Sequence, residues 1–279
     1  MTLMTDIYDP HRCLLGEGPL WHPERQELFW FDILAKELRT AERSWQFPDY
    51  VSAAGWVDRD TLLIASSKAL SRFDISTGWS EALVPLEADD PVTRSNDGRA
   101  DPWGGFWIGT MGIASEPNAG AIYRYWRGTV TKLIDDISIS NSICFAPDRS
   151  AAYWADTPER LIMRQPLEPT EGWPEGPAEV FLDLREEGLA ADGSVCDAEG
   201  NLWNAQWGSS RVAVYSPQGK LLKTLDIPGL HTTCPAFGGA DLTTLYVTSS
   251  ADGLEGEGEG RTYVIEGAGQ GVAEHQVIL

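Results

Sequence analysis

Asp101-Pro102-Trp103-Gly104-Gly105-Phe106-Trp107-Ile108-Gly109-Thr110 reads as a tight turn followed by a short apolar strand, and its recurrence along the chain decides the fold. Asp, Pro and Gly supply the backbone angles and local hydrogen bonds of a turn, while Phe, Trp, Ile and Thr suit a half-buried pleated surface. The same turn-then-strand unit returns with strands at 27–33, 61–66, 151–157, 201–207 and 244–250. Strand starts lie roughly 35 to 50 residues apart, the period of a four-stranded propeller blade. Third strands follow, as at 121–125 and 211–215, and Gly or Pro interrupts every stretch with helical spacing. The pattern predicts an all-β chain, a six-bladed β-propeller built as one domain over residues 1–279. One blade is expected to close the ring with strands from both ends, residues 5–8 pairing with strands around 261–265 and 275–279.

Composition narrows the function. Acidic residues number 42 against 21 basic, a formal net charge of −21. Such a surface repels phosphate backbones and anionic headgroups, which argues against nucleic acid and membrane as partners. The acidic segments 87–90 and 255–259 read as solvated loops. Residues 1–10, with Asp6 and Asp9, lack the apolar stretch of a secretory signal, and no apolar run is long enough to span a bilayer. Cys13, Cys144, Cys196 and Cys234 are widely separated and form no CxxC, so a zinc ribbon or redox dithiol is not expected. Reduced thiols and a cytoplasmic location are the simplest expectation.

Polar residues with oxygen donors precede several of the apolar strands. Glu17, Asn141 and Asp192 are expected at equivalent phases of the repeat, just ahead of the first strand of a blade. First strands line the channel of a propeller, so residues distant in sequence converge there. Two carboxylates and an amide carbonyl suit one hard divalent ion, with Ca, Zn, Mn, Mg and Fe(II) all acceptable. Alone, Asp192-Gly193 or Glu17-Gly18 is only a turn; the shared phase makes the difference. Other chemistries lack their residues. There is no GxSxG elbow, His11, His22, His231 and His275 form no HExxH pair, and the glycines of 253–260 alternate with Glu, which repels phosphate. Among the tryptophans, Trp207 is the candidate for stacking on a sugar, while Trp21, Trp103 and Trp203 are expected to pack. His231 is expected to be a loop histidine.

Segments 15–21 (LGEGPLW), 94–111 (RSNDGRADPWGGFWIGTM), 120–123 (GAIY), 139–141 (ISN), 192–203 (DGSVCDAEGNLW), 208–212 (GSSRV) and 233–239 (TCPAFGG) occur in that order. Together they resemble the family of senescence marker protein (regucalcin), gluconolactonase and luciferin-regenerating enzyme. The resemblance implies a divalent ion held by Glu17, Asn141 and Asp192, and hydrolysis of a sugar-derived lactone. It further implies that Arg94 and Asn96 bind substrate, with Asn96 also reaching the metal through water. Asp192 then serves as both ligand and general base for the attacking water. Two positions depart from the family pattern: Ala191 stands where Pro is usual, and Ser142 where Gly is usual. The segment 112–118 is too short to carry over the contacts of a lid. A broader metal-dependent esterase or phosphotriesterase, and a calcium-binding regulatory protein without significant turnover, are the alternative readings. Arg94 and Asn96 favour catalysis, because cation storage needs no guanidinium. The identity of the lactone and the number of subunits stay open.

Overall fold

The structure is a computed structural model and describes residues 3–279; Met1 and Thr2, which the expected domain span includes, lie outside it. Each repeat forms a four-stranded sheet, and six such sheets make a six-bladed β-propeller. The innermost strands, in chain order of the blades, are Gly16–His22, Val51–Asp58, Thr93–Ala100, Ser140–Phe145, Ala190–Cys196 and His231–Gly238. The second strands are Glu27–Asp32, Thr61–Ser66, Phe106–Gly112, Ala151–Asp156, Leu202–Trp207 and Thr244–Ser250. These second strands are the apolar runs read from the sequence. They are buried on both faces because each blade packs between two others, so they lose strict alternation and become near-continuous hydrophobic runs.

There is no single core. Six hydrophobic clusters each join two consecutive blades, with Trp107, Trp203 and Trp30 at most 1% exposed among them. Trp21 stacks on Tyr246 at 5.6 Å across the junction between the sixth and first blades. Innermost strands touch those of both neighbouring blades, which closes the ring.

Closure follows the sequence expectation in one half and departs from it in the other. Asp6–Asp9 forms the outer strand of the sixth blade, pairing antiparallel with Thr262–Ile265. Residues 275–279 form no strand. Their backbone instead crosses the far end of the ring, where Val277 N donates to Trp56 O and Ile278 N donates to Gly104 O, each within 2.9 Å. A Cβ on Gly55 would lie 2.4 Å from Val277, so the glycine makes room for this segment.

The polar segment 94–100, rich in the Asn, Asp and Gly common in turns, belongs to the innermost strand of the third blade, Thr93–Ala100. Its side chains line the channel, and that position tolerates Arg, Asn and Asp where an ordinary strand would not. Glu17, Asn141 and Asp192 likewise lie inside innermost strands, because the ladders begin earlier, at Gly16 with Asp32, Ser140 with Asp156 and Ala190 with Trp207.

A bulge recurs near the start of these strands, between Glu17 and Leu20, Ser95 and Gly98, Asn141 and Cys144, and Ala191 and Ser194. Bulges bend a strand and re-aim its side chains. In this register Glu17 and Asn141 are equivalent, whereas Asp192 sits one residue further on, inside the bulge, so the three do not share one phase.

Glu87 is not a solvated loop residue, since its Oε1 accepts hydrogen bonds from Tyr123 Oη at 2.5 Å and Thr110 Oγ1 at 3.1 Å. All four cysteines are buried free thiols. Among the described residues no helix is long and apolar enough to cross a membrane.

Candidate active site

At the end of the channel where the innermost strands begin, a cavity of about 270 Å³ is lined by Glu17, Arg94, Asn96, Asn141 and Asp192. All five residues singled out from the sequence therefore meet, and each is buried. They come from the first, third, fourth and fifth blades, so no local segment contains the site.

Hydrogen bonds order the polar groups. Arg94 Nη1 donates to Ser95 O at 2.9 Å and to Asn96 Oδ1 at 2.8 Å. Asn96 Nδ2 in turn donates to Ser140 O at 2.8 Å and to Asn141 Oδ1 at 3.2 Å. Asn141 Nδ2 donates to Thr157 Oγ1 at 2.8 Å, which leaves Oδ1 as the amide's acceptor in the cavity. Glu17 takes the backbone N–H of Gly18 on Oε2 at 2.9 Å.

Electrostatically the site is short of positive charge. Glu17 and Asp192 lie within hydrogen-bond reach of each other, two acceptors with no donor between them unless one is protonated. Burial, then the charge of Asp97, pushes Glu17 above the carboxylate range; burial, then the charges of Glu17 and Asp97, does the same to Asp192. The buried Asp97, whose charge acts on both, is raised by burial to about 6 while its carboxylate accepts the Ile143 N–H at 2.6 Å. Burial also lowers Arg94 to about 10. The donor set matches a divalent cation: two facing carboxylates, an amide oxygen beside them and an unneutralised negative field.

Several residues at the site were not identified from the sequence. Thr157 and Asp252 line the cavity, each just after the second strand of its blade, and neither belongs to a motif. Asp97 stands within the quoted RSND run but carried no assigned role. Trp207 does line the cavity, stacked on His231 at 4.0 Å with 14° between the rings. His231 is not the expected loop residue: it opens the innermost strand of the sixth blade and stacks against Trp207 without itself lining the cavity, and burial lowers its pKa. Trp203, Trp21 and Trp103 are packing residues, the last with its indole N–H on Pro169 O.

A second group, His11, Cys13 and Asp32, has ligand atoms within 4.8 Å of one another and so offers three donors to a metal. Its chemistry is less suited. The Asp32 carboxylate already accepts the N–H groups of Leu14, Leu15 and Ala35, and burial pushes the Cys13 thiol up to about 12, away from the thiolate that binds metal.

Known proteins carry the same architecture. A family model described as SMP-30/Gluconolactonase/LRE-like region matches residues 15–251. The crystal structure of a calcium-binding protein, regucalcin, from Agrobacterium tumefaciens superposes with a TM-score of 0.96 at 40% identity, over 99% of this chain and 98% of that one. The 6-deoxy-6-sulfogluconolactonase of Pseudomonas putida is 34% identical, over 88% of this chain and 86% of its own. The L-arabinolactonase of Azospirillum brasilense is 33% identical, over 91% and 85%.

Proposed function

The chain belongs to the SMP-30/gluconolactonase/LRE-like family, and from that premise we propose that it hydrolyses the ester bond of a sugar lactone, with Glu17, Asn141 and Asp192 holding a divalent cation. The observation that carries this reading is the pair of facing buried carboxylates, with Asn141 Oδ1 beside them and Arg94 in the same cavity. When bound, the cation supplies a Lewis acid that polarises the lactone carbonyl and offsets the negative charge developing on its oxygen.

The residues supply the rest. Arg94 and Asn96 hold the lactone through its oxygens, and the guanidinium stays charged because even its lowered pKa is about 10. Asp192 accepts a proton from the water that attacks the carbonyl carbon. The bond from that carbon to the ring oxygen then breaks, and the departing oxygen takes the proton back, leaving the hydroxy acid. Trp207 and Ile113 present apolar surface to the sugar's C–H face and limit stray water.

Charge selects among lactones. The cavity is lined by one cation, Arg94, and three carboxylates, Glu17, Asp192 and the exposed Asp252. A bound dication brings that sum to zero, with no charge left to attract a phosphate, sulfonate or carboxylate on the sugar. We therefore assign neutral aldonolactones to this chain. Arg94 also favours hydrolysis over cation storage.

A pH-stat panel of neutral and anionic sugar lactones, run on metal-stripped and metal-reloaded protein, tests both points. Chelation is expected to abolish hydrolysis and reloading to restore it, with neutral lactones preferred. Full activity after verified metal removal sinks the mechanism, and a preferred anionic lactone sinks the charge argument alone.

A further inference from the structure

Asn141 and Asp192 stand on innermost strands of different sheets, so no backbone ladder fixes the distance between them. Two hydroxyls of the fourth blade do span the gap. Ser142 Oγ donates to Asp192 O at 2.6 Å, and Thr157 Oγ1 donates to Ala191 O at 2.8 Å. Those consecutive carbonyls belong to the two peptide planes on either side of the Asp192 Cα. Holding both fixes the direction in which the carboxylate leaves the strand. Thr157 Oγ1 also accepts from Asn141 Nδ2, so the same hydroxyl orients the amide.

The backbone marks Ser142 as chosen for its side chain. It has φ 60°, in the left-handed region that disfavours L residues other than Asn and Asp, and it is fully buried. The equivalent position in the first blade is Gly18, at φ 55°. There the bulge takes the same turn with glycine, because a Cβ would lie 2.2 Å from Ser52 O. The fourth blade takes the turn with a serine, whose hydroxyl makes the bond to Asp192 O and accepts from Ser194 Oγ at 3.1 Å and Asn204 Nδ2 at 3.2 Å. Asn204 donates to the same Asp192 carbonyl at 3.1 Å, but from within the fifth blade, so it cannot set the spacing between blades.

We propose that Ser142 and Thr157 are positioning residues, an interblade clamp that sets the separation and orientation of Asn141 and Asp192. The clamp rests on the reading that these two residues hold a divalent cation. Its role is to make the cation site rigid before the ion arrives, so its loss weakens ion binding even where the fold is intact.

The test measures Mn²⁺ and Ca²⁺ dissociation constants by calorimetry on metal-stripped protein, with melting temperature and the kcat and KM of the best lactone on the same samples. Ser142→Gly, Ser142→Ala, Thr157→Val and Thr157→Ser are compared with wild type. Ser142→Gly removes the hydroxyl and relieves the backbone; Ser142→Ala removes only the hydroxyl. Groups that orient metal ligands are worth about 10- to 100-fold in metal affinity, and that loss is expected for the Gly, Ala and Val variants, with kcat falling more than KM rises. Ser142→Gly is expected to melt no lower than Ser142→Ala, and Thr157→Ser to restore affinity to within about threefold of wild type. A role in stability alone would shift melting and leave ion affinity untouched. Ser142→Gly keeps the test decisive if Thr157→Val fails to fold. If Ser142→Gly binds both ions within about twofold of wild type, the clamp is overturned whatever its melting temperature. Wild-type protein that binds neither ion overturns the site reading, and the clamp with it.

Discussion

The two ends of the innermost strands bury charge in opposite ways. At the far end, Arg99 is paired with the Glu274 carboxylate of the C-terminal segment, and Arg124 with Asp101 at 2.7 Å, all four side chains at least nine-tenths buried. Trp56 Nε1 donates to Glu274 O, tying that segment to the second blade. At the mouth, Glu17 and Asp192 share a single guanidinium, that of Arg94, and have no counter-charge between them, while the buried Asp97 adds its negative charge to theirs and draws on Arg99 instead. A fold can keep a balanced buried pair as structure, whereas buried like charges call for a proton or a bound cation. The imbalance, not the burial, identifies the functional end.

That contrast can be broken from either side. Removing one partner at the far end leaves an uncompensated buried charge, which typically costs about 3–5 kcal/mol. Glu274→Ala is therefore expected to lower the melting temperature sharply, yet leave kcat on the best lactone near wild type well below the transition. A fall in kcat with unchanged melting would mean that the two ends are not separate in role. At the mouth the balance of effects reverses. Arg94→Ala removes a charged hydrogen bond to substrate worth roughly 1.5–3 kcal/mol, so kcat/KM is expected to fall about 10- to 200-fold while ion affinity persists. Unchanged kcat/KM would take Arg94 out of the site.

A third effect is on stability and depends on pH. In metal-free protein Glu17 has a folded pKa raised from 4.5 to about 8 by burial and the charge of Asp97. A carboxyl raised in this way contributes stability below its unfolded pKa and loses it as pH rises through the folded one. Glu17→Gln cannot titrate. The melting temperature of metal-free wild type, measured against Glu17→Gln, is thus expected to decline from about pH 5 to about pH 8, and a divalent ion to reverse the decline. A difference that is flat across this range would show that Glu17 is not held in an unneutralised field.

The same two-ended geometry explains how much the sequence disclosed. Second strands such as Phe106–Gly112 are sandwiched between blades, so they are written in aromatic and β-branched residues and were readable. Innermost strands line a polar channel and carry bulges. Thr93–Ala100 consequently looks like a turn, and its Arg94 and Asn96 are candidates only through family resemblance, although both line the cavity. Asp192 was placed in phase with Glu17 and Asn141 because a bulge offset of one residue leaves no trace in composition. Thr157, which reads as the last residue of a strand, opens a 3₁₀ turn instead, and Asp252 follows its strand in a short irregular segment; no motif marks either. The 275–279 segment has the apolar residues of a strand, but its hydrogen bonds go to the second and third blades, a choice that only the closed ring makes available.

The central claim is that the unneutralised mouth does chemistry as well as bind an ion, and Asp192 is where the two roles separate. Asp192→Asn keeps a carbonyl oxygen for the cation but cannot accept a proton from water. The decisive measurement is kcat of this variant on the best lactone at an ion concentration confirmed by calorimetry to fill the site. Weakened ion binding that excess metal overcomes is expected, with kcat still about 10²- to 10⁴-fold below wild type. Recovery of near-wild-type kcat at saturation would contradict it, leaving Asp192 a ligand only.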